Sequence, residues 1–433
     1  MELKHPRCAG MDISSTDAMV CVRIVPKGKH KAQTELKQWG AKTSDVLALA
    51  DHLVKKKITT VMMEATGQYW KPFFYVLEAA GLDVMLVNPR LVRQIPGRKT
   101  DVADAVWLAD LCAHQAVKAS FVAPLPIQEL KDLTRTRTSL VQMRTQEIQR
   151  LQDVLESAAI KLTSSVSSVV GTGGRKMVEG LIKGLTPKQI ADGTSRAFKA
   201  SKEELAEALT GRFTEHHGFL ARQHLDLIDR LTEQIALLEK RIDTYFIDDP
   251  ADEEPGSGEG DPRADLGFKR KLLATIPGIN ETSAEKILSE IGPDMSVFPT
   301  AKHLTSWAGV APGLDQSAGK SKKAKCQPGC KPLKAALGVA AKTVTRSYQG
   351  SFLYARYRRV ASRRGHIKAL VAVERSILVA IWHILTKGEP YKDLGVDYYK
   401  KRKPKLTVHR ALADLMAVGK TVTPTGDGTY AIT

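Results

Sequence analysis

No apolar run in this sequence reaches the roughly 18–20 residues that span a bilayer. The nearest candidate, 369–385, is broken by Glu374-Arg375-Ser376 and reads as an amphipathic or core helix. The first residues, MELKHPRCAGMD, lack the apolar stretch of a secretory leader, so no signal peptide is expected. Cysteine is scarce and odd in number, five in 433 residues, without a dense framework. That excludes a disulfide-stapled scaffold and points to a reducing cytoplasm. Cys326 and Cys330 form a C-x3-C pair with no second pair nearby, whereas zinc normally takes four ligands. The stretch GTGG at 171–174 lacks both the lysine and the spacing of a phosphate loop. Acidic residues are in deficit, 47 against 65 Lys and Arg, which leaves a net charge of +18. Such an excess predicts a polyanionic partner, nucleic acid rather than membrane.

What is present is enough apolar content, 43%, for two or three soluble domains with separate cores. Strand and helix patterns alternate over the first 110 residues. The stretch 11–25, MDISSTDAMVCVRIV, is rich in strand formers and reads as a strand or hairpin start ending at Pro26-Lys27-Gly28. Helical periodicity follows over 45–57, a short strand over 58–64, a helix over 72–80 closed by Gly81, and a strand over 83–88. The next helix, within 98–111 (RKTDVADAVWLADL), has Thr100 or Asp101 as its cap and Val102, Val106, Leu108, Ala109 and Leu111 as a buried stripe. This order predicts an α/β domain with a largely parallel sheet over 1–123.

From Pro124 the pattern changes to long helices. Ile127, Leu130, Leu133, Leu140, Ile148, Leu151 and Leu155 mark one, and Leu227, Leu231, Ile235, Leu238 and Ile242 mark another. They would form a coiled-coil arm over 124–247, pairing with each other or pairing subunits. Arg135, Arg137, Arg144 and Arg150 decorate the first as a solvated face or a nucleic-acid stripe. An acidic Pro/Gly-rich linker fills 248–265. A basic, mainly helical domain is expected over 266–400 and a tail over 401–433. Within that domain, ATIPGI at 274–279 introduces either a helix-hairpin-helix turn or an ordinary helical corner. The stretch 307–325 reads as a flexible basic loop with two serines, Ser317 and Ser321.

Four carboxylates stand out. Asp101 and Asp104, three apart, project from one face of a helical turn. They read either as a cap plus a solvated carboxylate or as half of a metal site. Glu64 ends a strand and Asp12 lies in the first one. Ligands of open α/β sheets gather at carboxyl ends of strands, so the four acids could hold two cations about 3.5–4 Å apart acting on a phosphodiester. Arg90, Arg93, Arg98 and Lys99 surround the same site and would contact phosphates without reading sequence.

These segments together resemble a known family. GMDIS, MEATGQYW and LVNPRLVRQIPGRKTDVADAVWLADL are similar to the N-terminal domain of the DEDD transposases of bacterial insertion sequences, the insertion sequence 110 family related to the Piv invertases. IPGINETSAEKILSEIG, FPTAKHLTSWAGVAPG and QSAGKS resemble that family's C-terminal transposase domain. The resemblance covers about 115 N-terminal residues and roughly 270–385. It implies a RuvC-like (RNase H-like) N-terminal domain whose acidic residues are Asp12, Glu64, Asp101 and Asp104, binding Mg²⁺ or Mn²⁺. It implies a catalytic serine, best matched by Ser317, with Ser321 in reserve; Lys320, Lys322 and Lys323 follow Ser317 in the basic loop and could hold the phosphodiester or offset developing charge. It further implies donor and target DNA as substrates, a guide (bridge) RNA, a dimer-to-tetramer assembly, no membrane, and the cytoplasm of a bacterium. Ala318 stands where a second serine is usual, and Gly329-Cys330 with Lys334 replaces a Gly-Asn…Arg pattern, which suits family variation better than a zinc site. Two alternatives remain at this point: a RuvC-like structure-specific nuclease using water, and a non-catalytic nucleic-acid-binding protein.

Overall fold

The computed structural model describes residues 2–26, 32–64, 67–89, 101–194, 198–246, 265–312, 315–317, 320–322, 326–402, 404–425 and 430–432. The chain divides into two compact units, Met1–Val122 and Ala123–Thr433.

The first unit is built on five strands: β1 (Arg7–Ile13), β2 (Asp17–Ile24), β3 (Gln33–Gly40), β4 (Thr60–Glu64) and β5 (Asp83–Val87). Their order is β3-β2-β1-β4-β5. The sheet is mixed, which corrects the largely parallel expectation: β1–β2 and β2–β3 are antiparallel, β1–β4 and β4–β5 parallel. The reason lies in 11–25, which holds the end of β1, a three-residue turn and all of β2, two halves of one hairpin. Ser14 turns the chain by accepting the N–H groups of Thr16 and Asp17, and its hydroxyl donates to Asp17. Two consecutive strands joined by so short a turn can only run antiparallel.

One face of the sheet is covered by α1 (Thr43–Lys55) and α2 (Trp70–Ala79). Val46, Leu49, Ala50 and Leu53 from α1, and Phe73, Phe74 and Leu77 from α2, meet Ala9, Met11, Val20, Val61 and Met63. The other face receives α3 (Asp101–Ala113), through Leu108, Leu111 and Cys112 against Cys8, Met62, Met85 and Val87. The buried stripe of α3 differs from the expected one. Ala105 and Ala109 are fully buried while Val106 is 41% exposed, and the side chain of Val102 lies outside the described residues. The cause is Gly10: a Cβ built there would stand 2.1 Å from the Ala109 nitrogen and 2.4 Å from the Ala105 oxygen. Helix backbone rests directly on strand backbone, so only the smallest side chains face the contact.

The second unit contains α4 (Leu125–Ser157) and α9 (Glu215–Asp243), an antiparallel pair within one chain. The pairing is fixed by Tyr245 donating to Glu129 (2.9 Å), Arg144 to Thr232 (3.4 Å), and a His224–Glu147 contact of 2.9 Å. At one end, α5 (Leu162–Ser165), α6 (Thr172–Ile182), α7 (Pro187–Asp192) and α8 (Lys202–Ala208) enclose a core of Leu151, Leu155, Met177, Leu181, Leu205 and Leu225 among others. Capping boxes at Thr186/Gln189 and Ser201/Glu204 start the two short helices. The GTGG stretch belongs to this packing: Gly173 lies under Phe198 and Gly174 against the Ser168 carbonyl.

At the other end α4 meets a helical body made of α10 (Leu266–Ala274), α11 (Glu281–Ile291), α12 (Ala301–Trp307), α13 (Lys331–Ser347), α14 (Phe352–Arg364) and α15 (His366–Lys387). The junction is ionic. Arg137 reaches Glu285 at 2.8 Å with both side chains at most 6% exposed, and Arg135 grips Glu290 with two bonds of 2.7 and 2.9 Å. Thr134 and Ser289 share a 2.9 Å hydrogen bond beside them. Arg137 is thus buried rather than on a solvated face, and Arg135, exposed along its side chain, commits its guanidinium to Glu290; both anchor α4.

Helices α10 and α11 form the corner expected around 274–279. Its Gly278, at φ +88, sits where a Cβ would lie 2.5 Å from the Ala340 oxygen, so the turn is packed onto α13. α15 is long and apolar enough for a membrane span, yet it is the core helix of this body, with Val373, Ile377, Leu378 and Ile381 fully buried. The expected tail carries structure: α16 (Tyr398–Arg402), α17 (Pro404–Ala417), and a ribbon of β8 (Val422–Pro424) with β9 (Tyr430–Ile432). The acidic linker lies outside the described residues, except Asp265 at the start of α10.

Two outcomes are expected. Gly10→Ala forces α3 off the sheet and lowers stability by about 1–3 kcal/mol, the range for overpacking, read as a fall in melting temperature. An unchanged melting temperature would show that α3 yields freely. Arg137→Met leaves buried Glu285 with Arg270 as its remaining close cation and costs about 3 kcal/mol, the low end for breaking a buried pair, and adding Glu285→Gln, which removes the charge and still accepts from Arg270, recovers part of the loss. Equal destabilisation by the single and double variants would refute the ionic anchor.

Candidate nuclease-type site and catalytic serine

The sheet's alternation places the first two carboxylates. Cys8, Gly10 and Asp12 share one face of β1, because successive side chains in a strand alternate. That face is the one under α3, since the Cys8 thiol donates to the Ala109 carbonyl at 3.4 Å and Gly10 abuts Ala105 and Ala109. In β4, Met62 packs on the α3 side and Met63 on the other, so Glu64 belongs to the α3 face too. The parallel register pairs Met11 with Met63. Asp12 and Glu64 follow one step later on each strand, side by side at the carboxyl ends.

The direction of α3 supplies the other two. Its last turn reaches Cys8 through Cys112, and its middle reaches Gly10 through Ala105 and Ala109. The helix therefore runs opposite to β1, and its first turn, bearing Asp101 and Asp104, lies toward the Asp12 end. Asp104 is half-buried, and the Asp101 side chain lies outside the described residues. Among the described residues no group of three or more His, Cys, Asp and Glu side chains is gathered closely enough to hold a metal. What converges here is the set of backbone positions, with Asp101 the carboxylate not described.

Below the carboxylates the α3 face is sealed. Arg23 on β2 pairs with Asp110 on α3 at 3.2 Å. Burial pushes the Cys21 thiol up to about 11, and the hydrogen bond to Cys8 together with burial raises Cys112 further. These thiols stay protonated and inert at neutral pH. Gly10 and Arg23 are the supporting residues that motif reading missed; the only signal for Gly10 was a glycine two residues before an acid inside a strand.

The basic residues expected around this site, Arg90, Arg93, Arg98 and Lys99, lie outside the described residues. In the second unit, the stretch read as a flexible loop holds a two-stranded ribbon, β6 (Asp315–Ser317) and β7 (Lys320–Lys322). Ser317 is paired in register with Lys320 at the turn end, and Ser321 with Gln316. Lys323 is outside the described residues. A strand pair forms here because Gln316 to Lys322 can close a ladder across the short 318–319 connection. Cys330 does not behave as a zinc ligand. Its thiol donates to Glu290 at 3.3 Å, and burial beside that carboxylate pushes it up to about 11, while Cys326 is exposed.

Residues 9–160 match the DEDD transposase family of IS110 type, described as "Transposase", and residues 270–358 match "Transposase IS116/IS110/IS902 family". The two matches together take in just over half of the chain. Among curated proteins, the pilin gene-inverting proteins of Moraxella lacunata and Moraxella bovis are each 31% identical over 131 residues, 29% of this chain. The chain spans 40% of the length of these relatives. Among solved structures, Thermus thermophilus RuvC aligns at 16% identity over 27% of this chain and 99% of its own, with a TM-score of 0.22. Its complex with a Holliday junction substrate aligns at 17%, 27% and 100%, also with 0.22. Two separate domain matches, in order along the sequence, together cover more than half of it: this chain belongs to the IS110 family of transposases.

Proposed function

We propose that this protein cuts and rejoins DNA as the transposase of an insertion sequence, with Ser317 as nucleophile and Asp12, Glu64, Asp101 and Asp104 as its acidic site. The observation that carries the reading is the arrangement of Asp12 and Glu64 side by side on the α3 face, at the end toward which the first turn of α3 points. The name of the Moraxella relatives, pilin gene-inverting protein, describes a rearrangement of DNA and supports the same class of reaction.

The donor set is all carboxylate oxygen, which suits a hard divalent cation such as Mg²⁺ or Mn²⁺. When bound, such an ion supplies charge neutralisation at the phosphodiester. The chain's own part is separable from it. The Ser317 hydroxyl attacks phosphorus and loses its proton. A P–O bond to serine forms as the P–O bond to a deoxyribose oxygen breaks, and that oxygen leaves as a hydroxyl. The phosphoserine ester retains the bond energy, so a second DNA hydroxyl can displace serine and rejoin strands without ATP. Lys320, paired with Ser317 across the ribbon, together with Lys322 and Lys323, offsets charge developing on the phosphate oxygens.

The +18 charge supports extensive phosphate contact, so binding should weaken steeply with salt. Phosphate contacts carry no sequence information; a base-pairing guide RNA, which the family resemblance implies, would supply target choice. A dimer-to-tetramer assembly would bring two DNA partners together.

Asp12→Asn or Glu64→Gln should reduce strand cleavage by at least a hundredfold while DNA and RNA binding stay within a few-fold, and EDTA should have the same effect. Full activity in EDTA would refute the acidic site. Ser317→Ala should bind normally and form no covalent protein–DNA adduct, as read by peptide mass spectrometry. An adduct on Ser321 would move the role there, and cleavage with no adduct would make the protein a hydrolytic nuclease. Sequencing RNA that co-purifies with the protein tests the guide: recombination of the same sites by RNase-treated protein would exclude it.

A further inference from the structure

Helices α14 and α15 form a hairpin joined by one residue, Gly365, at φ +82. The Gly365 N–H bonds the Ala361 carbonyl and its own carbonyl receives the Ala369 N–H, so the turn is closed on both sides. Between Phe352 and Lys387 the hairpin bears eight Lys and Arg residues against a single acid, Glu374, which is buried. The cations collect at the turn. Arg363, Arg364, His366 and Lys368 are all exposed, and among the described residues none of Arg363, Arg364 and Lys368 is paired with a carboxylate.

In the middle of this basic tip stands Ile367, 75% exposed. A scattered surface aliphatic needs no explanation. This one differs because unpaired cations flank it on both sides and because its position is fixed. His366, its neighbour, accepts or donates a 2.7 Å hydrogen bond with the Tyr357 hydroxyl and packs edge-on against that ring at 5.7 Å.

We propose that this tip is a DNA-bending wedge: Arg363, Arg364 and Lys368 hold phosphates on either side of a groove while Ile367 presses into a base-pair step and kinks the duplex. The inference rests on the DNA-acting function above. Positive charge around an aliphatic side chain is the chemistry by which groove-binding proteins partly unstack and bend DNA. Duplex DNA is favoured over single-stranded RNA because unpaired bases are captured by free aromatic faces. The rings near this hairpin are already engaged: Tyr354 stacks on Tyr357 at 6.3 Å, and Arg359 covers Tyr399 at 4.5 Å.

The test uses the full chain and a mixed-sequence DNA duplex with donor and acceptor dyes at its ends. Wild type should shorten the end-to-end distance. Ile367→Ser should abolish most of that shortening while binding within about threefold of wild type, and Ile367→Leu should retain it. Arg363→Gln with Arg364→Gln should lower the slope of log affinity against log salt by about two. Binding with bend and slope unchanged in these variants would overturn the wedge and leave the DNA-acting function standing. Failure of wild type to bind or bend the duplex, with or without co-purified RNA, would overturn the wedge, whereas the DNA-acting function is tested separately by strand cleavage. Dependence on Ile367 seen with single-stranded RNA or with phosphatidylserine vesicles, and not with duplex DNA, would reassign the tip and overturn the proposal.

Discussion

The backbone of α3 lies on the backbone of β1 at Gly10, and the acidic end of the first unit depends on that contact. A side chain at this position would hold helix and strand apart by the depth of a methyl group or more. With glycine there, and alanines at 105 and 109 facing it, the helix is set at a fixed height above the sheet. Its first turn then comes to the strand ends that bear Asp12 and Glu64. Reacting groups displaced by about 1 Å can lose a hundredfold in rate, so a rigid stacking of main chain on main chain is a suitable foundation for chemistry on phosphate. The Arg23–Asp110 pair and the buried thiols of Cys8, Cys21 and Cys112 close the rest of that face.

How much of this could be read from residues alone varied with burial. Strand β4, with its apolar run ending at Glu64, and helices α1 and α2, with their apolar spacing, were legible because each buries a full face against the same core. β3 was not legible. It is an edge strand, QTELKQWG, mostly exposed, and its charges pair outward, with Glu35 held by Lys56 and His52. Periodicity places Val106 in the stripe of α3, but the close contact with Gly10 demands small residues, Ala105 and Ala109, a tertiary constraint that periodicity does not carry. The ribbon at Ser317 is not legible, because two three-residue strands of Asp, Gln, Ser and Lys show no apolar alternation. The four carboxylates are legible from the α/β pattern, as acids at strand ends and in one helical turn, and the family resemblance points to the same four. Their placement follows from strand register and helix direction, which no spacing in the chain encodes.

The second unit solves a different problem, that of tying a long helical pair to a body. A hydrophobic patch would hold α4 to α11 with little angular preference. Arg135 instead grips Glu290 through two directed hydrogen bonds, Arg270 donates to Glu285 at 3.2 Å, and Arg137 adds a buried ion pair to Glu285 at 2.8 Å. Buried charge of this kind is weak as a source of net stability and strong as a means of specifying one geometry. At the distal end the same helix joins a small core of its own, so α4 is held firmly at both ends while its middle contacts chiefly α9.

A single uninterrupted helix of 33 residues, about 50 Å long, therefore links the ionic anchor to the distal cluster. Such a helix is a ruler and a dial at once. One inserted residue would advance the distal cluster by about 1.5 Å and turn it by about 100°, and the returning α9 would fall out of step. Only changes of about seven, eleven or eighteen residues, matched in both helices, restore the facing within roughly 20°. Length variation among relatives of this chain should then come in such near-whole numbers of turns within the arm and in arbitrary steps within the connections, a pattern imprinted by helical geometry alone.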